Sequence, residues 1–170
     1  AVVDVLFRAG IGADLLSVSD SLDVTSSHGI HLRCDALASQ VNLADYALMF
    51  LPGGMPGTLN LGASALVTDE VRRRSAAGQP LAAICAAPSI LAEHGALQAR
   101  HATANPGFMD AIAAGGALMS EDAVVRDANL ITSRGMGTST ELGFEIIRLL
   151  LGDDAEQVVA SVKQGIVYQR

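Results

Sequence analysis

"LAAICAAPSILAEHG", residues 81–95, begins as a buried strand and ends as a helix, with Cys85 at the junction. The first four residues form a short apolar run, which is typical of a strand covered on both faces of a parallel sheet. Pro88 falls in the first turn of the predicted helix, where a missing N–H group costs no intrahelical hydrogen bond. In sheets of this kind, ligands bind outside the carboxyl ends of the strands. The stretch therefore predicts a strand–helix unit with a cysteine at the ligand-binding edge.

Strands and helices alternate on both sides of this unit. The predicted strands are residues 13–19, 28–35, 46–51, 80–85 and 101–105, with a hairpin over 124–133. The predicted helices are residues 1–10, 64–78, 87–95, 106–116, 138–152 and 153–163. Thr138 and Glu141 have the spacing of a capping box. This alternation predicts an α/β fold with a doubly wound, mostly parallel sheet sandwiched by helices, in a single domain over residues 1–170.

The first predicted helix is unusual because a doubly wound sheet normally begins with a strand. Ala1 and Val2 cannot cap the N–H groups of the first helical turn. We therefore expect a strand ahead of Ala1, outside the printed sequence, to belong to the sheet. Ala1, Val2 and Val5 give the helix an apolar side, and Asp4 and Arg8 are spaced for an ion pair. We expect part of this helix to be buried in a homodimer.

The composition excludes several classes of function. The 170 residues carry 11 Lys and Arg against 18 Asp and Glu, for a net charge of −7. Such a chain is a poor partner for nucleic acid or an anionic membrane. No apolar run is long enough to span a membrane. The two cysteines are too few for a disulfide scaffold or a structural zinc site, which predicts a reduced, cytoplasmic location.

We expect neither a cofactor nor a metal. The four histidines, at positions 28, 31, 94 and 101, lack the spacing of common metal motifs. The glycine-rich residues 135–139 lack both the GxGxxG spacing and the lysine of a P-loop, which argues against a nucleotide site.

Three loops meet at the predicted carboxyl edge of the sheet: residues 51–57, 84–88 and 132–139. Each consists largely of glycine or small residues, which let backbone N–H groups approach a ligand closely. A thiol at a helix N-terminus is favoured as the anion, so Cys85 could attack a carbonyl with N–H donors nearby. The alternative is that Cys85 is a small buried hydrophobic residue, as most free cysteines are. For Cys34, within a predicted strand, that alternative is favoured.

Four motifs carry a family resemblance: AAICAAPSILA, FLPGGMPG, SHGIHLRCD and LITSRGMGTSTELGFEII. Together they resemble the ThiJ/PfpI superfamily, and more closely its parkinsonism-associated deglycase (DJ-one) branch with the bacterial relatives. The similarity runs from Asp4 to Tyr168. It implies a flavodoxin-like fold, a homodimer and a reactive cysteine at the strand–helix junction.

The resemblance also implies roles for individual residues. Cys85 corresponds to the catalytic, oxidation-sensitive cysteine, and Gly54 and Ala86 correspond to the backbone donors around its sulfur. The remaining implied residues are a pocket formed by Gly53, Asn105, Arg134 and Gly135, and a dimer-side group formed by Asp4, Arg8 and His28.

The chain departs from the family pattern at two positions. The family's glutamate beside the cysteine would lie ahead of Ala1. Asn105 stands where many relatives have histidine, and an amide cannot act as a base at neutral pH. In addition, the protease branch has histidine directly after its cysteine, whereas this chain has Ala86, so peptidase activity is not expected.

Two functions follow from the resemblance. The first is a cysteine-dependent glyoxalase or deglycase that acts without glutathione on small 2-oxoaldehydes (methylglyoxal, glyoxal) or on their adducts with proteins, protecting against oxidative stress. The second is a non-catalytic redox-sensing chaperone, or holdase, whose cysteine is oxidised to a sulfinate. An acid–base partner for Cys85 separates the two, because an enzyme requires one and a sensor does not.

Overall fold

The computed structural model of the chain describes residues 1–169. The strands are β1 (Leu16–Ser17), β2 (Asp23–Thr25), β3 (His31–Arg33), β4 (Ala36–Leu37), β5 (Met49–Leu51), β6 (Leu81–Ile84), β7 (His101–Ala102), β8 (Leu118–Met119), β9 (Val124–Asp127) and β10 (Leu130–Ser133). The helices are α1 (Val2–Arg8), α2 (Gly57–Ala63), α3 (Ala65–Ala77), α4 (Pro88–Glu93), α5 (Met109–Ala114), α6 (Ser139–Leu151) and α7 (Ala155–Gly165).

The main sheet has the strand order β5-β6-β10-β9. Its first three strands are parallel, and β9 pairs antiparallel with β10 as the predicted hairpin. In register, Ser133 pairs with Ile84 and Leu51 pairs with Ala83. The carboxyl ends of three parallel strands therefore lie at one edge, and the prediction that three loops meet there is confirmed.

The two faces of this sheet support separate cores. Alternate residues of a strand point to opposite faces. Leu81 and Ala83 belong to a core with buried residues of α3, α4 and α5, whereas Ala82 and Ile84 belong to a core with buried residues of α1, α6 and α7. Helices thus cover both faces of the sheet, which confirms the doubly wound, flavodoxin-like α/β fold.

Helix α1 packs against α6. A Cβ atom on Gly143 would lie 2.7 Å from Val5 Cγ1, so the two helices approach closely at a residue without a side chain. Val2 and Val5 are buried in this contact within the chain. Helix α6 therefore covers these two residues within the chain, and the burial of part of α1 in a homodimer stays a prediction. Val3 and Phe7, on the same helix, remain exposed.

Three smaller sheets complete the described strands. β1 pairs parallel with β4, β2 pairs antiparallel with β3, and β7 pairs parallel with β8. Within residues 1–169, β5 pairs only with β6. The expectation of a further strand ahead of Ala1 stays a prediction.

The predicted capping box of α6 does not form. The Thr138 hydroxyl instead accepts from the Gly135 N–H at 3.1 Å and lies 2.6 Å from the Ser133 hydroxyl. Glu141 accepts a hydrogen bond from the Tyr168 hydroxyl at 2.7 Å. The prediction was wrong because the Thr138 side chain closes the preceding turn rather than the first turn of the helix.

Candidate active site

Cys85 directly follows β6 and adopts a left-handed backbone conformation, with φ 65°. Its N–H group donates to the Ser133 carbonyl at 2.9 Å, and its carbonyl accepts from the Asn105 N–H at 3.0 Å. A left-handed conformation costs a residue with a side chain roughly 1–2 kcal/mol. Such strain persists where surrounding contacts fix the backbone, and it is concentrated at functional sites. The residue at the strand–helix junction is therefore held in place from two neighbouring segments.

The loop after β5 lies against this junction. A Cβ atom on Gly53 would lie 2.6 Å from Cys85 Cβ and 2.7 Å from the Ile84 carbonyl oxygen. No side chain fits in that space, which explains the glycine. Gly54 has φ 97°, and a Cβ there would lie 2.8 Å from Ser27 Oγ. The turn between β2 and β3 thus reaches the loop that borders Cys85.

Ser27 was missed by the sequence analysis. It lies in the turn that Ser26 closes, where the Gly29 N–H donates to the Ser26 carbonyl at 3.0 Å. The dipeptide His28-Gly29 marks this turn in the sequence, but nothing in the pattern indicates that the turn packs over a distant loop.

On the helical side of the junction, Ala86 is buried and its carbonyl accepts from the Ser89 hydroxyl at 2.8 Å. Pro88 is the first residue of α4, as predicted. Among residues 1–169, no N–H group or side chain is hydrogen-bonded to the Cys85 sulfur. The roles of Gly54 and Ala86 as donors to this sulfur therefore stay predictions.

Asn105 and the loop after β10 border the junction on the other side. Asn105 Oδ1 accepts from the Gly107 N–H at 3.2 Å, and its Nδ2 lies 3.8 Å from where a Cβ on Gly135 would be. Arg134 contacts the segment that precedes β9, where its guanidinium donates to the Glu121 carbonyl at 2.7 Å. The structure thus places Gly53 and Asn105 against the Cys85 junction and Gly135 against Asn105. It engages Arg134 with a neighbouring loop.

The predicted dimer-side group lies on two separate elements. Asp4 and Arg8 form an ion pair of 2.9 Å on the exposed side of α1. An exposed pair of this kind contributes little to stability. His28 is exposed in the turn between β2 and β3. Their placement beside a partner's site stays a prediction.

The two thiols differ in environment. Cys34 lies one residue beyond β3, is 8% exposed, and donates its N–H to the Leu22 carbonyl at 2.7 Å. Burial raises the pKa of the Cys34 thiol, and the charges of Asp35 and Asp23 raise it further. Cys85 is partly exposed. A cysteine nucleophile must be both accessible and ionised. Of the two cysteines, Cys85 is the accessible one.

The described part of the chain contains no group of three or more His, Cys, Asp or Glu side chains that could hold a metal ion. Over the same residues, every helix is too short or too polar to cross a membrane.

Comparison with known proteins connects this site to a family. The DJ-1/PfpI family profile matches residues 1–149. Protein dj-1beta from Drosophila melanogaster is 36% identical over 157 residues, covering 92% of this chain and 84% of the relative. Glutathione-independent glyoxalase DJR-1.2 from Caenorhabditis elegans is 29% identical over 151 residues, covering 89% and 80%. The solved structure of oxidized DJ-1 from Toxoplasma gondii superposes with a TM-score of 0.90 at 31% identity, covering 99% of this chain and 90% of that one.

Proposed function

The chain belongs to the DJ-1/PfpI family, and we propose that it is a cysteine-dependent enzyme that converts small 2-oxoaldehydes to 2-hydroxy acids without glutathione. Methylglyoxal and glyoxal, free or as adducts on proteins, are the proposed substrates. The observation that carries the proposal is the strained Cys85 at the strand–helix junction, at the carboxyl edge of the sheet. The glyoxalase name of the Caenorhabditis elegans relative supports the same class of reaction.

The proposed reaction consumes one water molecule per substrate. The Cys85 thiolate forms a bond to the aldehyde carbon, and the electron pair of the C=O bond moves to the oxygen, which takes a proton to give a hemithioacetal. A proton then moves from the former aldehyde carbon to the neighbouring keto carbon, and the hydroxyl proton of the hemithioacetal passes to the keto oxygen. These two transfers leave a 2-hydroxy thioester on Cys85. Water cleaves the thioester, releasing the 2-hydroxy acid and restoring the thiol.

The proton transfer requires an acid–base group. No acidic or basic side chain of residues 1–169 is hydrogen-bonded to the Cys85 sulfur. We therefore propose that the group is the glutamate expected from the family pattern, in a segment ahead of Ala1.

The test follows the conversion of methylglyoxal to lactate by NMR in the absence of glutathione. The unmodified protein should produce lactate, Cys85→Ser should produce it only at the background rate, and Cys34→Ser should retain the activity. Serine lacks an ionised side chain at neutral pH, so it does not replace the thiolate as the nucleophile. Equal turnover by a folded Cys85→Ser protein would overturn the proposal.

One observation favours a second function, a redox sensor with holdase activity. Cys85 is partly exposed, and its sulfur lacks a hydrogen-bonded acid–base partner in the described residues, which suffices for oxidation but not for proton transfer. Dilute peroxide should then add two oxygens at Cys85 before Cys34. A protein that is oxidised in this way yet produces no lactate would favour the sensor over the enzyme.

We propose further that the protein is a homodimer and that the exposed apolar residues of α1 contribute to the interface. Val3 is 37% exposed and Phe7 is 77% exposed, and they lie four residues apart on one side of the helix. Sedimentation at micromolar concentration should give a dimer, and Phe7→Glu should shift it towards monomer. A monomeric unmodified protein would contradict this proposal.

A further inference from the structure

Arg126 differs from the other arginines in the partner of its guanidinium group. It is exposed on β9, and its Nε donates to the Ala128 carbonyl at 3.2 Å. Every other arginine within residues 1–169 forms an ion pair with an aspartate or a glutamate. In this part of the chain, Arg126 is therefore the arginine whose charge is not paired with a carboxylate.

The terminal nitrogens of Arg126 are also open to solvent reagents. Neither Nη1 nor Nη2 is hydrogen-bonded to any group of the described residues. Arg33 on β3 offers a close comparison, because its side chain is 69% exposed but its Nη1 lies 3.2 Å from Asp23 Oδ1. Both are exposed arginines on strands, and they differ in the presence of a carboxylate.

A carboxylate partner suppresses the reactivity of an arginine towards carbonyl compounds. Only the neutral guanidine has a nitrogen lone pair that can attack a carbonyl carbon, and a nearby negative charge favours the protonated form. The hydrogen bond to Glu70 accordingly raises the pKa of Arg73, and the hydrogen bond to Glu156 raises the pKa of Arg148. A carboxylate also occupies N–H groups that must be free for a reaction.

We propose that Arg126 is a modification site for 2-oxoaldehydes, the arginine within residues 1–169 that methylglyoxal converts fastest to a hydroimidazolone. The guanidinium first releases a proton to water. Nη1 and Nη2 then each form a bond to one carbonyl carbon, and two N–H protons move to the two oxygens, which gives a ring with two hydroxyl groups. Loss of one water yields the hydroimidazolone. The site goes beyond the proposed function, because this reaction requires neither Cys85 nor turnover.

The test compares the rates of modification of Arg126 and Arg33 in the unmodified protein with excess methylglyoxal. Cleavage after acidic residues releases the peptides 123–127 and 24–35, which contain one arginine each. Mass spectrometry follows the addition of one methylglyoxal less one water. Arg126 should react about fivefold faster than Arg33, the factor that corresponds to the upper value of an exposed ion pair. Equal rates, or a faster reaction at Arg33, would overturn the proposal.

Two variants at position 128 test the role of charge. Ala128 is exposed and has φ 51°, a conformation that both aspartate and asparagine adopt readily. Ala128→Asp adds a carboxylate beside the Arg126 guanidinium and should slow its modification about fivefold. Ala128→Asn adds a side chain of the same shape without charge and should leave the rate unchanged. Equal slowing in both variants would show that access, and not charge, controls the reaction, and would overturn the argument.

Asp23→Asn is the reciprocal variant. It removes the carboxylate from Arg33, whose modification should become about fivefold faster while that of Arg126 stays the same. An unchanged rate at Arg33 would count against the proposal. Cys85→Ser separates this site from the proposed function, because modification of Arg126 by excess methylglyoxal should proceed in that variant at the same rate. A protein that produces no lactate but is modified first at Arg126 would overturn the proposed function and leave this inference standing.

Discussion

The two cysteines lie in regions of opposite character. Cys85 follows β6, whose four residues are all buried, and its backbone bonds reach residues far away in the sequence. Cys34 follows β3, whose three residues are all exposed, in a hairpin that pairs with β2. The first cysteine has a strained backbone and a partly exposed thiol, whereas the second has a buried thiol with a raised pKa. The difference shows that the end of a central strand can expose a side chain that is rigidly held.

The rigidity of the Cys85 region comes from close packing rather than from hydrogen bonds to the sulfur. Gly53 leaves no room for a Cβ atom beside Cys85, and Gly143 leaves none at the crossing of α1 and α6. Interiors packed this tightly resist displacement of their backbone. The segment around Cys34 consists of strands of two or three residues, so its position depends on fewer contacts.

The largest effect should come from Gly53→Ala. The added methyl group would lie 2.6 Å from Cys85 Cβ, so the junction must shift. Misplacing a reactive group by about 1 Å can cost about 100-fold in rate. We expect a loss of that order in kcat/KM for methylglyoxal, measured by lactate formation.

Gly57→Ala, at the first residue of α2 where this loop ends, is the control, because no atom lies within 4 Å of its added Cβ. This variant should retain its activity. Equal losses in the two variants would mean that the whole loop, and not the contact with Cys85, sets the rate.

A smaller effect should appear in thiol labelling. At pH 7 and in the folded protein, iodoacetamide should modify Cys85 at least about tenfold faster than Cys34. The raised pKa of Cys34 leaves less thiolate at this pH, and its labelling should increase as the pH rises towards that pKa. Peptide mass spectrometry gives both rates.

In urea the two cysteines should label at similar rates, because unfolding removes the difference in environment. Equal rates in the folded protein would contradict the contrast between the two regions.

The smallest effect concerns the free energy of unfolding and should have opposite signs at the two sites. Cys85→Gly should be more stable than Cys85→Ala by about 1 kcal/mol, because glycine adopts a left-handed conformation without strain. Cys34 does not share that conformation. There the glycine variant should be less stable than the alanine variant by about 0.5–1 kcal/mol. Urea denaturation measures all four, and the same sign at both sites would show that Cys85 is not strained.

Much of the fold could be predicted because its signals are local. The apolar run and the proline within residues 81–88 predicted the position of the strand–helix junction. The alternation of strands and helices predicted a sheet covered on both faces. The strands β2 and β8 were missed since they are short and largely exposed, so they carry little apolar pattern.

The parts of the site that could not be predicted depend on tertiary contacts. Sequence spacing carries no information on the approach of Ser27 to Gly54, or on the engagement of Arg134 with Glu121. The capping box predicted at Thr138 did not form, because the Thr138 hydroxyl is hydrogen-bonded to the Ser133 hydroxyl instead.

The most direct test locates the covalent intermediate. The protein is mixed with carbon-labelled methylglyoxal, quenched in acid during the first turnover, digested and analysed by mass spectrometry. Labelled carbon should appear on the peptide that carries Cys85 and decrease as labelled lactate accumulates, and none should appear on the peptide that carries Cys34. Lactate formation without any modification of Cys85, or with modification of Cys34 alone, would contradict the proposed covalent mechanism.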